Sequence, residues 1–276
     1  MSRRIGGILL AVALASSLLV ACDKKSGPAA SGVSTATPTS TTSAATAAPK
    51  STASGSATAQ AANPALEATL KKGLLQRDDV PGTQWVVRDA GMQELADIAR
   101  SATATQGAQA GQDLITACYP NQSASTGTAP ETVMRLFAIP PDGLTSVTSL
   151  VMKTADAQRS LKSARETRAE DLRACLLAGL QKSIVSQIPG ATIEVVQLAN
   201  ITGLPATAGG LEASFRISAS GFTIGQHFAS ISAAQGDLLS TTLVVVIAEG
   251  TTVPPLPAPP TQLGTVAAQR LAEALR

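Results

Sequence analysis

Aromatic residues make up 2% of this chain, with one tryptophan and one tyrosine, and histidine occurs once. Each scarcity removes a class of function. Few aromatics means few faces on which bases or sugars stack, so single-stranded nucleic acid and stacked carbohydrate are poor candidates as ligands. There is no basic surplus either: 21 basic residues stand against 19 acidic ones, and loss of Arg3 and Arg4 with a cleaved leader would leave the remainder formally neutral. A neutral chain has no field that draws nucleic acid, and none is expected as a partner.

One histidine also limits chemistry. His227 lies in a strand-like pattern, and no G-x-S-x-G elbow accompanies it, so a Ser-His-Asp arrangement is not expected. Neither G-x-x-x-x-G-K-[ST] nor G-x-G-x-x-G stands between a strand and a helix, so no phosphate cradle is foreseen. A metal would need more ligands than one imidazole and two cysteines that suit a disulfide. The acid pairs Asp78-Asp79 and Glu170-Asp171 fall in a turn and at a helix start, where carboxylates serve as caps. The sequence therefore reads as a non-enzyme without cofactor or metal.

Long apolar runs are equally rare. The longest predominantly apolar charge-free stretch is Ile5 to Val20, after Arg3 and Arg4, which is the layout of an export signal. It falls short of the roughly 20 apolar residues a spanning helix needs. Leu19-Val20-Ala21-Cys22 ends it and resembles the lipobox of bacterial lipoproteins. By that resemblance residues 1–21 are the signal and Cys22 becomes the acylated first residue, anchored on the extracytoplasmic face of the cell membrane. Two or three acyl chains hold firmly where one alone holds marginally.

Residues 22–63 are nearly all Ser, Thr, Ala, Gly and Pro after Lys25, too poor in apolar surface to offset the entropy of ordering them. As a flexible coil of about 40 residues they span roughly 35 Å, a tether that carries the folded part away from the bilayer. Such Thr/Pro-rich tethers resemble O-mannosylated segments of actinobacterial lipoproteins.

With Cys22 assigned to lipid, Cys118 and Cys175 remain. In an oxidising compartment they form a natural pair, the alternative being two buried thiols. A bond between them would close a loop of about 58 residues and contribute about 4 kcal/mol in the chain-entropy model.

Residues 64–276 have one domain's length. Asn63 and Pro64 mark a helix start, followed by leucines at helical spacing. Asp79-Val80-Pro81-Gly82 turns the chain and delivers Trp85 into a short extended segment, making the groove or sheet face beside Trp85 the favoured binding surface if the domain binds anything. The alternative is that Trp85 is core. Residues 90–130 read as loops with one helix near Met92 to Ala99. "TVMRLFAI" and "LTSVTSLVMK" make a hairpin across Pro140 to Gly143. A helix capped by Thr154 follows, then a longer one from about Ala169 to Gln187 with a stripe at Leu172, Leu176, Leu180, Ile184 and Ile188. "ATIEVVQL" is a strand closed by "ITGLPATAGG", after which "LEASFRISA", "FTIGQHFASISA" and "LLSTTLVVVIAE" are three strands joined by tight turns. "TVAAQRLAEALR" is a closing helix with Val266, Leu271 and Leu275 inward. The expected fold is α+β, an antiparallel sheet of about six strands with helices on one face.

This constellation resembles the extracytoplasmic sensor-like domains of actinobacterial lipoproteins. Its marks are the exported start, the tether, the opening helix with "LL" then "DVPGTQW", the interrupted sheet, and Cys118 with Cys175. The same domain type lies outside the membrane in serine/threonine kinases of the PknH kind. Those kinase domains carry two disulfides, whereas Cys118 and Cys175 allow one. The resemblance covers Pro64 to Arg276 and implies a non-enzymatic module that meets a ligand or another envelope protein. The competing expectation is an acyl-lipid carrier with a large apolar cavity, since the small Ala, Gly and Val side chains of the sheet leave space.

Overall fold

The computed structural model describes residues 63–95, 131–141, 144–188, 190–219 and 221–276. The expected signal, the lipidated Cys22, the tether before Asn63, and Cys118 lie outside the described residues.

Helix α1 is Pro64–Gly73, and Asn63 caps it as foreseen, its Oδ1 accepting from the amides of Ala65 (3.1 Å) and Leu66 (3.3 Å). Leu74 and Leu75 continue into the core, a 3-10 turn spans Arg77–Asp79, and β1 is Val86–Ala90. Residues 92–95 begin the helix expected from Met92; its remainder lies outside the described residues. Strands β2 (Glu131–Ala138) and β3 (Thr145–Lys153) form the hairpin. Helices α2 (Ala157–Glu166) and α3 (Ala169–Gln187) follow. Then come β4 (Thr192–Asn200), β5 (Ala208–Ala219), β6 (Phe222–Gln235), β7 (Leu238–Glu249) and α4 (Pro260–Ala274).

The α+β class holds, with seven strands in the order β1-β2-β3-β7-β6-β5-β4, all antiparallel. About six were expected. The seventh is β1, whose first four side chains are exposed, so "VVRDA" shows no alternation that would mark it as a strand. Two meanders, β1 to β3 and β4 to β7, are joined through α2 and α3, and β7 is zipped in beside β3.

Helices on one face is the expectation that fails. Val147, Val244, Ala229 and Ile231 share a cluster with Leu70 of α1 and Leu263 and Leu271 of α4. Leu243, Val245, Phe228 and Phe215, of opposite parity on the same strands, pack against Leu180 of α3. Ala157 and Leu161 of α2 join Ala234 and Leu239 on that second side. Side chains alternate across a strand, so these clusters lie on opposite faces of the sheet, and helices cover both. The reason lies in β7, where ten successive residues from Leu238 to Ile247 are buried. A strand buried on both sides is mostly apolar, as "LVVVIA" is, although Ser240, Thr241 and Thr242 are buried with it.

Smaller corrections follow from helix phase. Thr154 does not cap α2: its hydroxyl accepts from the Asp156 amide at 3.3 Å, and Asp156 occupies the cap position. On α4 the buried stripe is Leu263, Ala267, Leu271 and Ala274, while Leu275, at the helix end, is 48% exposed. Gly236 takes φ +59° in the tight β6–β7 turn, the left-handed conformation that glycine enters without a Cβ penalty.

Candidate functional site: a cationic groove at the edge of the sheet

The groove forms where the chain leaves α1 and returns as β1. Leu75 donates its amide to the Ser149 hydroxyl at 3.1 Å, which pins the end of α1 onto β3. Gln76 then turns outward, with its amide held by Asp79 (2.6 Å) and its side-chain nitrogen by the Leu74 carbonyl (2.8 Å). Asp79 is held in turn by Arg270 of α4 through two bonds of 2.8 and 2.9 Å. The 3-10 turn is thus latched from the other end of the domain, and it forms one wall of the groove.

The floor comes from β1 and β2. Asp89 and Arg135 are register partners on the first face of the sheet. Arg135 donates to both Asp89 oxygens, at 2.6 and 2.7 Å, and through its remaining nitrogen to the Leu75 carbonyl (3.1 Å) and Gln76 Oε1 (2.7 Å). This fork geometry explains the titration behaviour. The Arg135 hydrogen bonds hold the Asp89 carboxyl below its ordinary range, opposed in part by burial, and the same carboxylate raises the Arg135 guanidinium. Arg77 donates to the carbonyls of Val80 (3.3 Å) and Gly82 (2.7 Å) and has no carboxylate partner among the described residues.

Together Gln76, Arg77, Val87, Asp89 and Arg135 line an open groove of about 340 Å³. Two guanidiniums and one carboxylate are among the lining groups, and Asp79 lies close enough to Arg135 to raise it further. The arrangement offers donors, a cation and an apolar wall. It holds no nucleophile paired with a base. Such a set of groups can hydrogen-bond an anionic group beside an apolar contact.

Trp85 precedes this groove in the chain but does not line it. The indole is 7% exposed, packed in the core of the first face, and donates to the Pro81 carbonyl at 2.6 Å. It anchors the turn that sets the direction of β1. His227 is on a strand, as expected, and both ring nitrogens meet acceptors: Nδ1 the Pro254 carbonyl at 2.9 Å, Nε2 the Glu212 carboxylate at 2.7 Å. Both nitrogens are thus engaged by groups other than the cross-strand neighbour Ser214. Cys175 is half-buried on α3 and is not a free thiol. Among the described residues, no cluster of His, Cys, Asp or Glu has the makings of a metal site, and no helix is long and apolar enough to cross a membrane.

Gln76, Arg77, Asp89 and Arg135 were not foreseen as a group. One signal was present. Arg135 shares its strand parity with Val133 and Phe137, so a charge in "TVMRLFAI" had to enter the domain with a partner. No protein-family model and no curated protein matches the chain.

Proposed function

We propose that this protein is a lipid-anchored lipoprotein of the cell envelope, tethered through Cys22 to the extracytoplasmic face of the cell membrane, whose domain binds a ligand or a partner protein and catalyses no reaction. The leader and lipobox of residues 1–22 support the anchor, and the Ser/Thr/Ala/Pro run to residue 63 supports the tether. The observation that carries the binding role is the groove, where the guanidiniums of Arg77 and Arg135 meet the exposed apolar side chain of Val87. The likeness to sensor-like domains of the PknH kind enters on the sequence features alone.

Packing weighs against the acyl carrier. An acyl chain needs a continuous apolar cavity between sheet and helices, but the strands at the centre are covered on both faces by interlocking Leu, Val, Ile and Phe side chains. The groove of about 340 Å³ is open and polar on its floor.

Fractionation of cells expressing the wild-type chain and Cys22→Ala tests the anchor. The wild type should stay with membranes through a carbonate wash and take up labelled fatty acid, and the variant should do neither. Retention of the variant would instead assign the leader to a spanning helix. Native mass spectrometry of the full chain purified from its host tests the binding role: a retained fatty acid or phospholipid would favour the carrier.

A further inference from the structure

The two edges of the sheet are built differently. At β4 the register with β5 shifts between Val195 and Gln197, a bulge that spoils the regular row of amides and carbonyls another strand would need. At the opposite edge β1 pairs with β2 in unbroken register from Val86↔Ala138 to Ala90↔Met134 and contains neither bulge nor proline. Its outer side has no strand beside it among the described residues. Val86 and Val87, on opposite faces of β1, are 58% and 39% exposed, and the cationic groove opens on the Val87 and Asp89 side.

We propose that the outer edge of β1 and the groove beside it dock an extended acidic polypeptide segment that adds to the sheet as a further strand. This deepens the binding role proposed above and rests on it. The edge supplies backbone hydrogen bonds without regard to sequence, and alternate side chains of the added strand fall on the groove side. There they meet Val87 and the guanidinium of Arg77, which has no carboxylate partner among the described residues, so a Glu or Asp at such a position gains a charge-assisted hydrogen bond. A volume of about 340 Å³ suits one or two side chains and stands at the small end of ligand sites. The chain's own tether is a poor occupant, because Lys24, Lys25 and Lys50 are its only charged residues between Asp23 and Glu67.

The test uses the full chain in nanodiscs and three decapeptides, five Thr-Glu, five Thr-Gln or five Thr-Lys repeats, which as strands present all their variable side chains on one face. The glutamate peptide should bind at least tenfold more tightly than the other two, weaken with salt, and slow amide exchange in Val86–Ala90. Arg77→Gln should remove most of that preference and Arg77→Lys should restore part of it, with unchanged circular dichroism in both. Equal affinity for the three peptides, no binding of any, or binding that leaves β1 exchange unaltered would overturn the proposal. So would β1 protection without peptide together with a dimer in sedimentation, which would assign the edge to a second copy. Failure on these counts with a retained ligand in native mass spectrometry would leave the binding role intact and remove only this edge.

Discussion

Ser149 on β3 and Thr242 on β7 are register partners on the same face of the sheet, both fully buried, and their hydroxyls do different things. Ser149 Oγ accepts the Leu75 amide at 3.1 Å, whereas Thr242 Oγ1 has no partner. Ser149→Ala orphans a buried N–H, which costs about 1–3 kcal/mol. Thr242→Val removes a hydroxyl that has been desolvated without compensation and substitutes a methyl of nearly the same shape. The relief of an unsatisfied group, about 1–3 kcal/mol, adds to a transfer gain of about 0.8 kcal/mol for the new carbon. Partial relaxation reduces this, so a net stabilisation of about 1–2 kcal/mol is expected. In a domain of this size 1 kcal/mol moves Tm by about 2–4 °C, so the two variants should diverge in opposite directions by several degrees. Urea unfolding of both, followed by circular dichroism with m unchanged, is the measurement. A destabilised Thr242→Val would refute the reasoning, since it would mean that the hydroxyl is bonded in the folded protein.

Three further outcomes are expected. Gly225 on β6 has no room for a side chain, since a Cβ would lie 2.5 Å from the Thr252 carbonyl oxygen. Gly225→Ala should therefore cost about 1–3 kcal/mol and speed amide exchange around residues 252–254. Asp89 is lowered in the folded state, so its contribution is present above the unfolded carboxyl value near pH ~3.9 and is lost as pH falls through the lower folded value. Its side chain is 42% exposed, which limits the effect to a fraction of the value for a buried pair. Asp89→Asn should flatten the acid limb of a stability–pH curve and leave the curve above about pH 5 parallel to wild type. Cys118 and Cys175, the pair that the proposed acylation of Cys22 leaves, should resist thiol alkylation of the native protein without reductant, and two labelled cysteines would dismiss the bond.

Local signals carried the elements and missed the assembly. Asn63-Pro64 starts α1, and the four-residue leucine spacing bounds α3 at Ala169 and Gln187, because caps and helical period act within a few residues. The two-sided cover was encoded in the unbroken apolar run of β7, which was read as strand without its implication for layers. The groove was illegible for a different reason. Asp89 and Arg135 are 46 positions apart, and their meeting depends on the β1–β2 register. Nothing in "VVRDA" fixes that register, since β1 buries only Ala90.

The topology also explains why the groove depends on the far end of the chain. Because β7 enters between β3 and β6, the chain emerges at the centre of the sheet, and α4 can return across the first face to lie against α1. That contact brings Arg270 to Asp79 across 191 positions, with both side chains mostly shielded from water. Asp79 holds the Gln76 amide, and Gln76 Oε1 accepts from Arg135. One continuous set of hydrogen bonds therefore runs from α4 through the 3-10 turn to the groove floor. Polar groups in such a chain constrain one another, so undocking α4 would release the wall that carries Gln76 and Arg77. A ligand bound by that wall favours the docked helix by linkage, so occupancy of the groove should protect α4 amides at a distance from the site.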